Sequence, residues 1–519
     1  MIYLSVVFCY LACAWFVLRQ NVHMFQLNSY KPKVQTNWLF KNPKTVLPPF
    51  LALLAVLVLY PLCLKANTWS LGFAVVFLVL AIFFLPKKQY KTPLKFTMRI
   101  IRLFATLAIL YIAVALLPMI SGLALLLTYP IHLAIALALS PLVMLFANML
   151  NRPLELLVNR WYINDAKKII KNCPNLLVIG ITGSFGKTSV KYFLDELLSV
   201  KYNVLKTPGN FNTTLGVVKT IRSSLRATHD IFLCEMGAKN IGDIKEICDI
   251  VHPKMGIITS VGEMHLESFK SIENVRKTKF ELADSLPENG KIFLNFESEQ
   301  VVLGSKDRNF VAYGLENQSG YYITDLKISG KGSEFTLNTP EGKSAEFRTQ
   351  LIGRHNVLNV CGAIAVAHTL GISLEELKPA VRRLESVPHR LQLIVRGNIS
   401  IIDDAYNSNP QGAKAALETL GMAEGTKILV TPGMIELGAK EFELNYEFGK
   451  QASKVCDKVA LVGKKQTEPI FKGLIDAGYQ ESDIFVAESL PEAMNFAYSL
   501  TNPENRTIIL LENDLPDNY

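Results

Sequence analysis

Gly186-Lys187-Thr188 brings together the side chains best suited to chemistry in this chain of 519 residues, closing the run Leu-Leu-Val-Ile-Gly-Ile-Thr-Gly-Ser-Phe-Gly-Lys-Thr-Ser-Val over 176–190. The apolar start of the run fits a buried parallel strand, and glycines at 180, 183 and 186 let the backbone turn tightly with its N–H groups facing inward. A helix starting near Lys187 then presents its first amides to an anion. Such a loop cradles phosphate. Gly183, Ser184, Gly186 and Ser189 line it, Lys187 brings a positive charge to the terminal phosphates, and the Thr188 hydroxyl is placed to ligate the accompanying magnesium. The spacing departs from GxxxxGK[ST] at Ile181, where a glycine is expected. A glycine-rich turn without nucleotide is the competing reading, disfavoured because strand, Gly-Lys-Thr and helix occur together.

Further apolar runs at 231–234, 256–259 and 292–295 alternate with helical stretches, as in a parallel α/β sheet, where functional residues collect at the carboxyl ends of strands. Glu235 stands at such an end. A carboxylate there can take a nucleotide's magnesium, directly or through water, or simply be a solvated strand-end acid; spacing alone leaves the two even. Other polar segments stand out downstream: Thr-Pro-Gly-Asn-Phe-Asn at 207–212, Glu-Met-Gly-Ala at 235–238, His265-Leu266-Glu267 with Phe269 and Ser271, and Val275-Arg-Lys-Thr-Lys-Phe-Glu281. They continue with Gly353-Arg354-His355-Asn356-Val-Leu-Asn359, Pro388-His389-Arg390-Leu391-Gln392, Asp403-Asp404-Ala405-Tyr406-Asn407-Ser408-Asn409-Pro410, and Pro432-Gly433-Met434-Ile435-Glu436-Leu437-Gly438.

In this order, and with the loop Gly-Ile-Thr-Gly-Ser-x-Gly-Lys-Thr, these segments resemble the motifs of the Mur ligases, ATP-dependent enzymes that add amino acids to the peptidoglycan stem peptide. Within that family the likeness is to the type that joins D-alanyl-D-alanine to UDP-N-acetylmuramoyl-tripeptide. It covers about residues 175–511, with Ala405 and Ser408 departing from the family's Asp-Asp-Ser-Tyr-Asn-Ala-Asn-Pro. The resemblance implies ATP and Mg2+ as cofactors, with Thr188, Glu235 and His265 as metal ligands and a catalytic set of Lys187, His265 and Lys279. In the family the lysine matching Lys279 is often carbamylated, which turns a cation into an anion able to bridge to a metal. A basic helix face, with Arg276 and Lys277 nearby, is the plainer account of that lysine. Asn356 and Asn359, three apart on one helix face, would surround the nucleotide. Arg390, at a hinge, would reach back to phosphate, and Asp404 would contact the nucleotide across the domain cleft. The chemistry implied is formation of an acyl phosphate on a substrate carboxylate, followed by displacement of phosphate by an amine. Two departures bear on the acceptor. About 25 residues separate the apolar head from the loop, so the family's sugar-nucleotide domain is expected to be absent, and Glu512-Asn-Asp stands where the family has a Gly-Ser-Arg type ending.

The elements that must position these residues divide unevenly along the chain. Half of the residues are hydrophobic and the mean hydropathy is +0.24, high for a wholly soluble protein. The excess lies in residues 1–154, which hold 13 of the 54 Lys and Arg and no Asp or Glu; the remainder carries a net charge near −4. This is a membrane signature and not a nucleic-acid one. Five apolar segments, 2–18, 47–64, 71–85, 103–120 and 123–150, approach the ~20 residues a spanning helix needs. Basic residues follow the first (Arg19, Lys31, Lys33, Lys41, Lys44) and the third (Lys87, Lys88, Lys91, Lys95, Arg99), which places the N-terminus outside and everything after Leu150 in the cytoplasm, where ATP is available. The eight cysteines show neither a disulfide framework nor a zinc spacing.

The architecture expected is a membrane α-helical head over 1–154, an α/β P-loop domain with a parallel sheet over 155–390, and a Rossmann-like C-terminal domain over 391–519, with Glu155–Pro174 a short connection. The function expected is a membrane-anchored, multi-pass amide ligase of cell-wall synthesis. Its partners are a cell-wall peptide precursor, soluble or lipid-linked, an amino acid or dipeptide amine such as D-alanyl-D-alanine, membrane lipids, and no nucleic acid. The alternatives are the same chemistry on another envelope or polyglutamate-type substrate, and a P-loop ATPase driving transport, which the scarcity of ionisable residues in the spans, His132 being the main one, disfavours.

Overall fold

The computed structural model describes residues 2–43, 92–120, 135–306, 308–315, 320–329, 332–406, 408–501 and 505–514. The chain divides into two compact units, the first ending at Arg160 and the second running over Trp161–Leu515.

The described part of the first unit is helical: α1 (Ile2–Leu27), α2 (Pro32–Lys41), α3 (Met98–Ile120) and the start of α4 (Ser140–Lys171). Val22, Phe25, Ile100, Leu103, Leu107, Met144 and Ala147 form its core. Trp15, Phe16, Ile109, Ile112, Phe146 and Met149 are exposed on the same helices. Among the described residues one helix, Met98–Leu116, is long and apolar enough to cross a membrane, with a mean hydropathy of 2.0. The segments expected to span at 47–64 and 71–85, and the first part of 123–150, lie outside the described residues. Glu155, the first acid in the chain, is buried against Arg102, whose Nε and Nη2 donate to its two oxygens at 2.7 and 2.9 Å. The expected connection Glu155–Pro174, polar and partly helical in pattern, is mostly the second half of α4.

The second unit holds two large α/β sheets, one wholly and one mainly parallel. In the first, β1 (Leu177–Thr182), β2 (Val204–Lys206), β3 (Ile231–Glu235), β4 (Met255–Ile258), β5 (Lys291–Asn295) and β6 (Val311–Tyr313) take the order β2-β3-β1-β4-β5-β6, all parallel. Alternation along the strands buries both faces. Ile179, Ile181 and Leu233 join one core with Phe193 and Val360, while Val178, Phe232 and Cys234 join the other with Ile247 and Phe280. The helix α5 (Lys187–Leu198) follows β1 directly, and its Val190, Phe193, Leu194 and Leu197 face the sheet. Three antiparallel strands, β7 (Tyr322–Ser329), β8 (Gly332–Asn338) and β9 (Ser344–Thr349), form a small separate sheet.

The second large sheet begins after Pro388–Leu391. β10 (Gln392–Arg396) pairs antiparallel with β11 (Ile399–Asp404), and β12 (Thr426–Thr431), β13 (Lys458–Val462), β14 (Ile484–Ala487) and β15 (Thr507–Glu512) complete the order β10-β11-β15-β12-β13-β14. The apolar runs at 399–402, 428–430, 459–462 and 507–511 all fall in it. Bringing β15 back between β11 and β12 sets Asp404 beside Glu512 at the carboxyl ends.

Candidate active site

The carboxyl ends of β3, β1 and β4 lie side by side, and the candidate site is built on them. Between β1 and α5 the chain turns through Gly183 and Gly186. A methyl on Gly183 would stand 2.1 Å from Thr259 Oγ1 and 2.9 Å from Ser260 N, so the approach of the β4 end to this turn requires a bare backbone. Gly186, at φ +83°, begins the helix, and a methyl there would lie 2.7 Å from Asn359 Oδ1. Hydrogen bonds fix the turn from behind. Ser184 N–H donates to Ser260 O at 2.9 Å, Phe185 N–H to Ser260 Oγ at 2.7 Å, and Gly262 N–H to Ser184 Oγ at 3.0 Å. Helix geometry leaves the amides of Lys187, Thr188 and Ser189 without intrahelical partners, directed at the turn.

Lys187 Nζ donates to Gly183 O at 2.6 Å. Burial brings this ammonium down to about 8, the carboxylate of Glu235 opposing and the charge of Arg390 assisting. Glu235 is 1% exposed and its two oxygens are divided: Oε2 accepts from Lys191 Nζ at 2.8 Å, whereas Oε1 accepts from Thr188 Oγ1 at 3.2 Å and Asn212 Nδ2 at 3.0 Å. Burial alone would raise this carboxyl, but the charges of Lys191 and Lys187 and the hydrogen bonds from Lys191 and Asn212 outweigh it and hold the group below its ordinary value. Lys191 Nζ also donates to Gly209 O at 2.5 Å, tying in the Thr-Pro-Gly segment. Lys279, on the helix α6 (Ile272–Asp284), is buried with no hydrogen-bond or ion-pair partner among the described residues. Burial, and next the charge of Lys187, depress it well below the ordinary lysine value.

The structure thus gathers Gly183, Ser184, Gly186, Lys187, Thr188, Ser189, Glu235 and Lys279, and sets Asn359 against the turn. Asn356, one turn earlier on the helix α7 (Arg354–Thr369), donates to Ile352 O at 2.9 Å. His265 is not hydrogen-bonded to Thr188 or Glu235: its Nδ1 meets Glu436 Oε2 of the C-terminal domain in a short hydrogen bond. Burial keeps the imidazole below its ordinary value even though Glu436 pulls the other way. Glu436 itself, which burial would raise, is held at about 2 by His265 and Lys239. Among the described residues no three His, Cys, Asp or Glu side chains converge on one point.

Arg390 stacks over the Tyr406 ring, its guanidinium carbon 4.2 Å from the centroid, and its charge is felt by Lys187 on one side and by Asp404 on the other. The residues flanking it, His389 and Leu391, both have positive φ, +58° and +51°. Asp404 is buried. Its Oδ1 accepts from Leu391 N–H at 3.2 Å, and burial raises its carboxyl to about 7. Glu512 beside it is raised well above the ordinary range by burial and by Asp404; its Oε1 accepts from Ser408 at 2.5 Å. The neighbouring Asp403 pairs with His389 at 2.8 Å. Asn407 lies outside the described residues.

Sequence reasoning assigned no role to Lys191, Asn212, Glu436 or Glu512. Lys191 had a usable signal, lying four residues after Lys187 and therefore on the same helix face. Between α6 and the C-terminal domain opens a cavity of about 590 Å³, lined by Glu263, Glu267, Lys270, Glu273, Leu437 and Lys440 among others.

Phosphate and magnesium both fit this site. The turn admits no side chain at Gly183, its helix amides face inward, and a hydroxyl and an anionic carboxylate oxygen meet beside two lysines. His355, 5.9 Å from the Phe185 ring, has a buried Nε2 with no partner among the described residues, a polar atom free for a nucleotide base. A P-loop domain joined through an arginine hinge to a Rossmann-like domain is the framework of an ATP-dependent acid–amine ligase. Comparison with known proteins agrees: residues 181–367 match the Mur ligase middle domain and 389–511 the Mur ligase, glutamate ligase domain. The chain belongs to the Mur ligase family, whose members are ATP- and magnesium-dependent acid–amino-acid ligases.

The UDP-N-acetylmuramoyl-tripeptide–D-alanyl-D-alanine ligase of Escherichia coli (strain K12) is 32% identical over 331 residues, 61% of this chain and 72% of the relative. The Bacillus subtilis (strain 168) enzyme of that name is 33% identical over 291 residues, 55% of this chain and 63% of the relative. Among solved structures, MurF from Acinetobacter baumannii superposes with a TM-score of 0.63 at 25% identity, covering 69% of this chain and 77% of that one. The MurF ligase from Thermotoga maritima in complex with ADP gives 0.62 at 25% identity, covering 69% and 80%.

Proposed function

We propose that the chain joins a dipeptide amine, D-alanyl-D-alanine, to the terminal carboxylate of a muramoyl-tripeptide precursor through an acyl phosphate. The observation that carries this reading is the cluster of Lys187, Thr188, Glu235 and the unpartnered Lys279 at the carboxyl ends of β1 and β3. Lys187 exchanges the Gly183 carbonyl for the terminal phosphate. Thr188 and Glu235 Oε1 would hold magnesium, with His265 as a further donor, and the ion when bound would supply positive charge to the phosphate oxygens. Burial disfavours the ammonium form of Lys279, which favours the free amine that reaction with carbon dioxide needs, and its carbamate would add an anionic donor. Asn359, Asn356 and His355 line the nucleotide side, while Arg390, and Asp404 behind it, face it from the C-terminal domain. The substrate carboxylate oxygen attacks the γ-phosphorus as the bond to ADP breaks. The amine nitrogen then attacks the acyl carbon, loses a proton, and phosphate departs. Shielding by the docked C-terminal domain protects the acyl phosphate from water. The cavity beside His265 offers room and both signs of charge to a zwitterionic acceptor.

The acid-free head and the apolar helix Met98–Leu116 support attachment to a membrane through several spans, with the ligase domains cytoplasmic, and a precursor presented at the bilayer surface. The test uses the full chain in detergent or nanodiscs with ATP, magnesium, D-alanyl-D-alanine and either the UDP-linked or the lipid-linked muramoyl-tripeptide. ADP release requiring both acid and amine, with peptide product, is expected, and the lipid-linked acid is expected to be used better. ADP release independent of the amine would refute the ligase reading.

A further inference from the structure

The C-terminal domain reaches His265 through the loop 432–440, which follows β12. Its own domain holds this loop firmly. Gly433 N–H donates to Thr431 Oγ1 at 3.0 Å, Met434 N–H to Asn445 Oδ1 at 2.8 Å, Asn445 Nδ2 to Met434 O at 2.9 Å, and Asn513 Nδ2 to Gly433 O at 2.6 Å. Three of its residues reach across. Glu436 meets His265 Nδ1 and receives Lys239 Nζ on both oxygens, at 2.9 and 3.2 Å. Gly438 packs on the backbone of Glu267, and Lys440 Nζ donates to Glu263 at 2.6 Å. Both Glu436 and His265 sit at positive φ, +62° and +52°. Non-glycine residues keep that conformation only where the surroundings impose it, and two of them meeting face to face mark a contact built for use.

A carboxylate bound to Lys239 accepts hydrogen bonds only, so the proton of a neutral His265 must reside on Nδ1. That leaves the lone pair on Nε2, the atom a metal takes when the other ring nitrogen is held by a carboxylate. We propose that Glu436 is a positioning residue that fixes the tautomer and ring of His265 for magnesium, so that the metal site is complete only when the 432–440 loop is docked. The inference rests on the reading of His265 as a magnesium ligand. It means that the domain carrying the hinge and the carboxyl pair also licenses metal binding in the other domain.

The test reads metal binding directly, as Mn2+ bound to the full-length protein with ADP, by electron paramagnetic resonance. Loss of such an outer partner typically weakens a metal by about 10–100-fold. Glu436→Ala is expected to weaken Mn2+ at least tenfold. Glu436→Gln, whose amide oxygen still accepts from Nδ1–H, is expected to restore most of it, which a merely structural role would not do. In a His265→Ala background, Glu436→Ala is expected to add nothing. Glu436→Ala binding Mn2+ like the parent while His265→Ala does not would overturn this inference and leave the metal-ligand reading standing; His265→Ala binding like the parent would overturn both. An undiminished effect of Glu436→Ala in the His265→Ala background would also overturn it.

Discussion

Replacing Lys191 by methionine removes the cation from a carboxylate that has almost no access to water. Glu235 is 1% exposed and the Lys191 side chain is fully buried, their charged atoms 2.8 Å apart. Thr188 and Asn212 would still bond Oε1, but Oε2 would lose its hydrogen-bond partner and the charge its paired counterion, leaving Lys187 as the remaining nearby cation. Breaking a buried pair from one side costs about 3–5 kcal/mol, because the remaining charge stays in a poorly polarisable interior. For a domain of 150–250 residues each kcal/mol moves the midpoint by about 2–4 °C, so thermal unfolding of the full chain followed by circular dichroism should show the transition of the P-loop domain lowered by about 10 °C. The pH dependence carries a sign. In the parent, Glu235 is held below its ordinary value and adds stability above the carboxylate range; in the variant, without Lys191, burial lifts the folded-state carboxyl relative to the parent and that contribution shrinks. The deficit against the parent therefore grows as pH rises through the carboxylate range and is smallest in acid. Lys191→Met/Glu235→Gln removes both charges and should recover most of the loss. A single variant melting within 2 °C of the parent, or a double variant no better than the single, would refute the account of Glu235 as a charge held by Lys191.

Lys187→Ala should lower ATP-dependent turnover by about 10²-fold or more with an unchanged melting profile, since the ammonium serves phosphate charge and lies outside the hydrophobic cores; near-normal turnover would remove the phosphate-loop assignment. Lys279→Ala should lose activity that added bicarbonate does not restore and short carboxylic acids partly do, by standing in for the carbamate; full activity in the plain variant would count against carbamylation. Asp404 holds its proton in the folded state to about 7 against an ordinary value of 3.8, so it subtracts stability progressively as pH rises from about 4 to 7. The melting point of Asp404→Asn should consequently fall less than the parent's between pH 5 and pH 8, and equal slopes would show that the Asp404–Glu512 pair is not the source.

The parallel strands were legible because burial on both faces demands unbroken apolar runs. Those at 231–234, 292–295 and 459–462 lie within strands at Ile231–Glu235, Lys291–Asn295 and Lys458–Val462. The antiparallel sheet over Tyr322–Thr349 was not, since Asp325, Lys327, Glu334, Glu346 and Arg348 interrupt every run and only alternate residues are buried. In the site, Lys187 and Thr188 were legible because one contiguous turn places them. The partners of Glu235 and His265 were not: Lys191 is 44 residues from Glu235 and Glu436 is 171 from His265, and only the crossing of strands and the docking of domains bring them together. Arg390 stood out by its motif, but its stacking on Tyr406 depends on the fold.

The bend at His389-Arg390-Leu391 has a mechanical consequence. Two side-chain-bearing residues held at positive φ cost about 1 kcal/mol or more each, and they make the link between domains a stiff elbow with few alternative angles. Glycine at position 389 would relax the elbow and free it at once, at the loss of the His389–Asp403 pair, whereas glycine at 391 would empty a core position, Leu391 being 2% exposed beside Ile402 and Leu417. With the elbow freed, the guanidinium between the two flanks would sample many orientations and visit the phosphate less often, so the strain held at His389 is spent on aiming a charge.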